Sequence, residues 1–209
     1  MEYFQGTFDG NNKIIDNLYI NNTSNYQGLF GDIEDATIKN LIIDNSIIQP
    51  NMIMGSIAGY AENCILENIH ITENVEIMST SGYVGGIVGV AGGSIRDCYN
   101  KGNVRTKQYA GGILGITHSS TGRYVSITNC YNSGKTDANS YKGEIAGQIA
   151  SSRGETNNCY TKSQVLTNAT LGDAFTNDVK IKVMNEETGL EEEVWSNGCF
   201  PILKWQIGE

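Results

Sequence analysis

A block of fixed composition recurs along this chain at a spacing that few folds allow. Gly111-Gly112-Ile113-Leu114-Gly115 followed by Ile127-Thr128-Asn129-Cys130-Tyr131-Asn132 is its clearest copy. Aligning one apolar position per copy gives Leu18, Leu41, Ile69, Cys98, Cys130 and Cys159, between 23 and 32 residues apart. One residue earlier stand Asn17, Asn40, Asn68, Asp97, Asn129 and Asn158, and three earlier Ile15, Ile38, Leu66, Ile95, Ile127 and Thr156. Six residues later, from Leu41 onward, come Ile47, Val75, Val104, Thr136 and Val165. A glycine block precedes each of these five copies: Gly28–Gly31, Gly55–Gly59, Gly85–Gly89, Gly111–Gly115 and Gly143–Gly147.

Short β-branched runs ending at Gly or Asn, repeated at a period of roughly 20 to 50 residues, specify a solenoid rather than a helical array. Equivalent residues of adjacent coils then lie one strand spacing apart, about 4.8 Å. Apolar columns become continuous internal rows, and the Asn column bridges coils through its side-chain amides. A β-sandwich is the alternative, but it does not require residue-for-residue columns. The expectation is an all-β, right-handed parallel β-solenoid of about five or six coils with a C-terminal cap, the hand following the preference of parallel crossovers.

The solenoid is assigned to residues 1–165. Its first segment, Phe4 to Leu18, reads as strand, Asp-Gly/Asn turn, strand. The stretch from Gly115 to Ile127, containing His118 to Tyr124, is the longest insertion and is expected to project as a loop. Beyond about Leu166 the period is lost. Val179–Val183 resembles an edge strand, Glu186 to Glu193 an acidic turn, and 166–209 is read as a cap on the last coil.

The formal charge of −9 opposes a nucleic-acid partner. No apolar run approaches the ~20 residues of a membrane span, and the start lacks the features of an export signal. The chain is therefore expected to be a piece of a longer secreted or cell-surface protein, with signal and anchor elsewhere.

Gly-Gly-Ile-x-Gly blocks followed by Ile-x-Asn-Cys-Tyr-Asn and then Gly-x-Val resemble the GLUG-motif repeats of bacterial surface proteins. Phe4–Asn11 is similar to the lead-in of such arrays, and Asn197–Gln206 to their closing segment. The resemblance implies a β-solenoid stalk or adhesive module, sometimes found upstream of catalytic domains such as immunoglobulin-A-cleaving metallopeptidases. It implies no activity and no functional residue.

Catalytic chemistry is weakly represented. The only histidines, His70 and His118, are too far apart for an H-E-x-x-H zinc site, and His70 reads as an exterior strand residue. Arg96, Asp97, Asp137 and Glu144 are the candidates for a glycan-active β-helix enzyme, but they occupy columns or isolated turns. Asp9–Asn12 and Asp32–Asp35 lack the spacing of a calcium loop. Cys98, Cys130 and Cys159 share a column with Leu and Ile and read as reduced, buried thiols. No cofactor or metal and no catalytic residue is assigned. The expected function is binding of a host protein or glycan, and spacing. The best contact candidates are Tyr99, Tyr131 and Tyr160, one residue past the buried column, where strand alternation turns side chains outward. The simpler reading of these rings is that they reinforce coil-to-coil packing.

Overall fold

The computed structural model describes residues 3–22, 24–49, 52–118, 123–150 and 152–161, with two strands further on. The chain divides into two compact units, Met1–Thr161 and Lys162–Glu209. The described residues of the first unit form a β-solenoid of about five turns in which the inter-coil pairings are parallel.

Coil one contains Phe4–Asp16 and Tyr19–Ile20, and coil two Tyr26–Gln27, Gly31–Asp44 and Ile47–Ile48. Coil three contains Ile53–Met54, Ala58–Ile71 and Glu76–Met78, and coil four Tyr83–Gly85, Val88–Arg96, Tyr99–Asn100 and Asn103–Arg105. Coil five contains Tyr109–Gly111, Leu114–Thr117, Val125–Thr128, Tyr131–Asn132 and Thr136–Asp137. Coil six contains Tyr141–Gly143, Ala146–Gln148, Gly154–Asn157 and Tyr160–Thr161. Stacking these coils produces one long sheet and two five-stranded sheets, so the core is walled on three sides.

Beyond coil one, the Asn column and the apolar positions on either side of it are those of the sequence. Leu41 lies opposite Ile69, and the registers His70 to Tyr99, Tyr99 to Tyr131 and Tyr131 to Tyr160 carry the row through Cys98, Cys130 and Cys159. The first four members are buried, and Cys159, on the last coil, is half-buried. The preceding Asn column is a set of left-handed corners, with φ of 55°, 53°, 55°, 52° and 51° at Asn40, Asn68, Asp97, Asn129 and Asn158. Asn and Asp tolerate this region because their short side chains bond locally. Here they also bond between coils: Asn68 Nδ2 donates to Asn40 Oδ1 at 2.8 Å, and Asn129 Nδ2 to Asp97 Oδ1 at 3.1 Å.

The residue after the corner has a second task. Its side chain donates back across the corner to the carbonyl two residues earlier. Cys98 Sγ donates to Arg96 O at 3.1 Å, Cys130 Sγ to Thr128 O at 3.3 Å and Cys159 Sγ to Asn157 O at 3.3 Å. Two further corners repeat the device, Cys64 Sγ to Glu62 O at 3.1 Å and Ser46 Oγ to Asp44 O at 2.5 Å. The thiol therefore combines apolar bulk with a weak donor.

Four sequence assignments need correction. Leu18 does not stack on Leu41: Lys13 does, Ile15 pairs with Ile43 instead of Ile38, and Asn17 Oδ1 accepts from Asn45 Nδ2 at 2.9 Å. The cause is a register shift between Asp9 and Lys13, where Asn11 and Asn12 take φ of 48° and 56°. That segment is a bulge within one continuous strand, not a turn between two. The later apolar column is Ile20, Ile48, Ile77, Val104 and Thr136, not one through Ile47 and Val75, because the corners of coils two and three are longer. In the second unit Glu191–Glu193 is a strand, paired antiparallel with Lys182–Met184, not an acidic turn. Val165 of the assigned solenoid and the remainder of the assigned cap, including Trp195 to Trp205, lie outside the described residues.

Candidate functional site

Tyr99 and Tyr131 are each only 2% exposed, and Tyr160 is half-buried. Their column runs Ile14, Ile42, His70, Tyr99, Tyr131, Tyr160, with ring centroids 5.0 Å apart for both His70–Tyr99 and Tyr99–Tyr131. The Tyr99 hydroxyl is 3.2 Å from Ser133 Oγ, and burial pushes its pKa up. The expected accessible row is thus closed at two of its three members, and the rings are spent on packing. His70 also departs from its expected exterior position: burial, reinforced by Lys101, pushes its pKa down to about 4.

An accessible aromatic column exists on another wall. Tyr26, Ile53, Tyr83, Tyr109 and Tyr141 follow one another in register on a five-stranded sheet. Ring centroids are 5.1 Å apart for Tyr83–Tyr109, and 4.5 Å apart at an interplanar angle of 6° for Tyr109–Tyr141. Tyr83 and Tyr109 are half-buried, whereas Tyr141 is 48% exposed. Sequence reading missed this column because its link to the Asn corner varies in length from coil to coil.

The insertion of coil five builds a polar cluster on the long sheet. It leaves the sheet at His118, whose backbone N–H donates to Ala91 O at 3.0 Å, and returns at Tyr124, whose carbonyl accepts from Gly93 N–H at 2.7 Å. Both ends cross Ala91-Gly92-Gly93 of coil four, where the nearest approach to a β-carbon on Gly92 would be Arg123 Cβ at 3.4 Å. Small residues there let coil five reach coil three: His118 Nε2 meets the Tyr60 hydroxyl, and Arg123 pairs with Glu62. Tyr60 Oη is also 3.2 Å from Glu62 Oε2, its ring centroid is 5.0 Å from that of Tyr26, and Arg153 donates to His118 O at 3.2 Å. The insertion's ends are therefore pinned down instead of projecting, while residues 119–122 lie outside the described residues.

Burial lowers the His118 pKa, with help from Arg153, and raises that of Tyr60, so both are neutral at pH 7. Burial and then the charge of Glu34 raise the pKa of Asp32. Glu34 faces Glu62 across the strand pair. The cluster thus holds carboxylates, a phenol and a neutral imidazole close together, and its evident physical work is to clasp coil five onto coil three. The insertion was visible in the sequence, but its landing point on Tyr60 and Glu62 depends on the registry of three coils of unequal length.

The other candidates do not converge. Arg96 pairs with Glu67 at 2.8 Å, Asp97 sits in the corner ladder, Asp137 pairs with Arg105 at 3.9 Å, and Glu144 is exposed. Among the described residues no group of three His, Cys, Asp or Glu is arranged to hold a metal.

Residues 80–105 match the family model for the GLUG motif. That segment carries a GLUG motif. No curated protein and no solved structure matches the chain.

The match spans one coil: its strands are Tyr83–Gly85, Val88–Arg96, Tyr99–Asn100 and Asn103–Arg105. The GLUG coil owes its paired glycines to a buried amide. Asn100 is fully buried, accepts from Gly102 N–H and donates to Gly102 O, both at 3.0 Å, and donates to Asn132 Oδ1 of the next coil at 2.8 Å. A β-carbon on Gly86 would lie 2.7 Å from the Asn100 Cγ and 2.0 Å from Gly112 O. Coil five repeats the arrangement with Gly112 and Asn132. Coils two and three carry Ile43 and Ile71 at the amide position and have Leu29 and Ser56 in place of the second glycine. The GLUG signature in this chain is therefore a packing rule: a buried turn-closing amide above, a side-chain-free residue beside it.

Proposed function

We propose that the chain is a non-catalytic module of a secreted or cell-surface, adhesin-like bacterial protein, acting as a spacer and as a binding surface for a host protein or glycan. The observation that carries this reading is the use of the conspicuous polar residues between coils, in the Asn68–Asn40 and Asn129–Asp97 ladders and the Arg96–Glu67 pair. Such stacking makes a stiff rod whose length scales with coil number. Binding is assigned to the Tyr83–Tyr109–Tyr141 column, whose phenols combine an apolar body with a polar tip. The test is to replace these three by Ser and measure binding to host-matrix proteins and glycan arrays together with Tm. Lost binding at near-native Tm supports the assignment, and unchanged binding rejects it.

A second reading, glycan cleavage, draws on Asp32, Glu34 and Glu62 beside Tyr60 and His118. The commitment of Glu62 to Arg123 and Tyr60 favours the clasp over acid–base work. Release of reducing ends or unsaturated products from a polysaccharide panel, abolished in Glu34→Gln, would overturn the non-catalytic reading.

A further inference from the structure

We propose that Tyr109 and Tyr141 form an oxidative cross-linking site, in which a one-electron oxidant joins coils five and six through a carbon–carbon bond between the two phenol rings. The pair is the most nearly parallel and most closely spaced ring contact described, with centroids 4.5 Å apart and planes within 6°. Its backbones are held in register by parallel pairing, Tyr109 to Tyr141 and Gly111 to Gly143, and by the Tyr141 N–H donating to Gln108 O at 2.8 Å. The rings therefore meet as a matter of fold, not of chance encounter.

Access separates this pair from its competitors. Tyr99 and Tyr131 are also in contact, at 5.0 Å, but both are shut away from solvent. Tyr3, Tyr19 and Tyr124 are 47%, 62% and 47% exposed, yet among the described residues none of them has another ring stacked on it. The pair combines proximity with access, Tyr109 being half-buried and Tyr141 exposed, and Tyr83 extends the stack by one ring at 5.1 Å, so a radical formed at any of the three has a neighbour to pass to.

The step balances. Each phenol loses one electron and the proton of its hydroxyl, giving two phenoxyl radicals. These couple at ring carbons ortho to oxygen, and the hydrogens on those carbons move to the oxygens as the rings regain aromaticity. The protein loses two hydrogen atoms in all, and with hydrogen peroxide and a peroxidase as oxidant those atoms reduce one peroxide to two waters. Stacked rings must turn toward one another for the bond to form. The half-exposed Tyr141 has the room to do so. The product staples two coils that are otherwise joined by hydrogen bonds and packing.

The experiment treats the purified full chain, at a dilution that suppresses intermolecular encounter, with a peroxidase and hydrogen peroxide. The expected product is a monomer lighter by two hydrogens, with dityrosine fluorescence and a raised Tm. Trypsin cuts after Lys107, Arg123, Lys135 and Lys142 place the two residues on peptides 108–123 and 136–142, which should be recovered joined. Tyr141→Phe and Tyr109→Phe keep a stacking ring but should each lose the linked peptide and most of the fluorescence, whereas Tyr19→Phe should keep both. Covalent dimers as the main product, or an intramolecular link that survives Tyr141→Phe, would overturn the proposal.

Discussion

A β-carbon on Gly112 would sit 2.2 Å from the Cγ of Asn132 and 2.1 Å from the carbonyl oxygen of Glu144. The first neighbour is a side chain and the second is backbone of the next coil, so relief of one contact does not relieve the other. Gly112→Ala is expected to destabilise by about 2–4 kcal/mol, the upper range of overpacking. Adding Asn132→Ala should not restore stability, because the backbone clash remains and Gly134 O loses its donor at 3.2 Å. Denaturant unfolding of the single and double variants checks both statements.

Asn129 offers a test of sign. Its φ of 52° is open to Gly and Asn and costs other residues roughly 1–2 kcal/mol. Asn129→Ala loses both the conformation and the bond to Asp97, whereas Asn129→Gly loses mainly the bond. Glycine should therefore be the milder substitution by about 1 kcal/mol. Equal losses in thermal or urea unfolding would show that the ladder bond, not the corner, sets the stability at this position.

His70 makes the fold sensitive to mild acid. Its folded-state pKa, about 4, lies below the ordinary 6.5. Between these values the unfolded chain binds more protons, so this stabilisation is complete above about pH 6.5 and is lost progressively down to about pH 4. The loss is bounded by roughly 3 kcal/mol. Tyr at this position would extend the Tyr99–Tyr131 stack, and His70→Tyr should flatten the stability profile across that window. Asp9, held below the usual carboxylate value chiefly by Asn40, acts at lower pH and should be unaffected.

The thiols should separate by reactivity. Cys64, Cys98, Cys130 and Cys159 are free. Burial pushes the Cys64 thiol up to about 11 and raises Cys130, whereas its contact with the Cys130 side chain lowers Cys159, which is also half-buried. Among these four, Cys159 should be alkylated first in the native protein at neutral pH, with site occupancy read by mass spectrometry. Unfolded without reductant, the chain should titrate all five thiols.

Much of the fold was legible because stacking forces equivalent residues into equivalent environments. Leu41, Ile69, Cys98 and Cys130 share a row, and their offset from the corner Asn never changes. Legibility failed wherever a coil changed length. The bulge at Asn11 and Asn12 displaced the first copy, and longer corners moved Ile48 and Ile77 into the places assigned to Ile47 and Val75. The aromatic site failed for a different reason: alternation correctly excludes Tyr99 and Tyr131 from the core row, but being outside that row does not ensure exposure. The Tyr83–Tyr109–Tyr141 wall and the Tyr60–His118 clasp depend on which coils become neighbours across links of unequal length, and that information is not local.

Parallel stacking also fixes how the solenoid would answer a pull. Hydrogen bonds between coils lie along the long axis, so tension applied at the two ends of the array loads them directly and one coil at a time, instead of shearing many together. Successive corners are 28 to 32 residues apart, and each coil drawn off as extended chain would release roughly 90–110 Å. Such a rod yields by unspooling, coil after coil, with each spent coil lengthening the tether. The clasp from His118 and Arg123 to Tyr60 and Glu62 ties coil five past its neighbour to coil three, and so marks the place along the array where unspooling would stall.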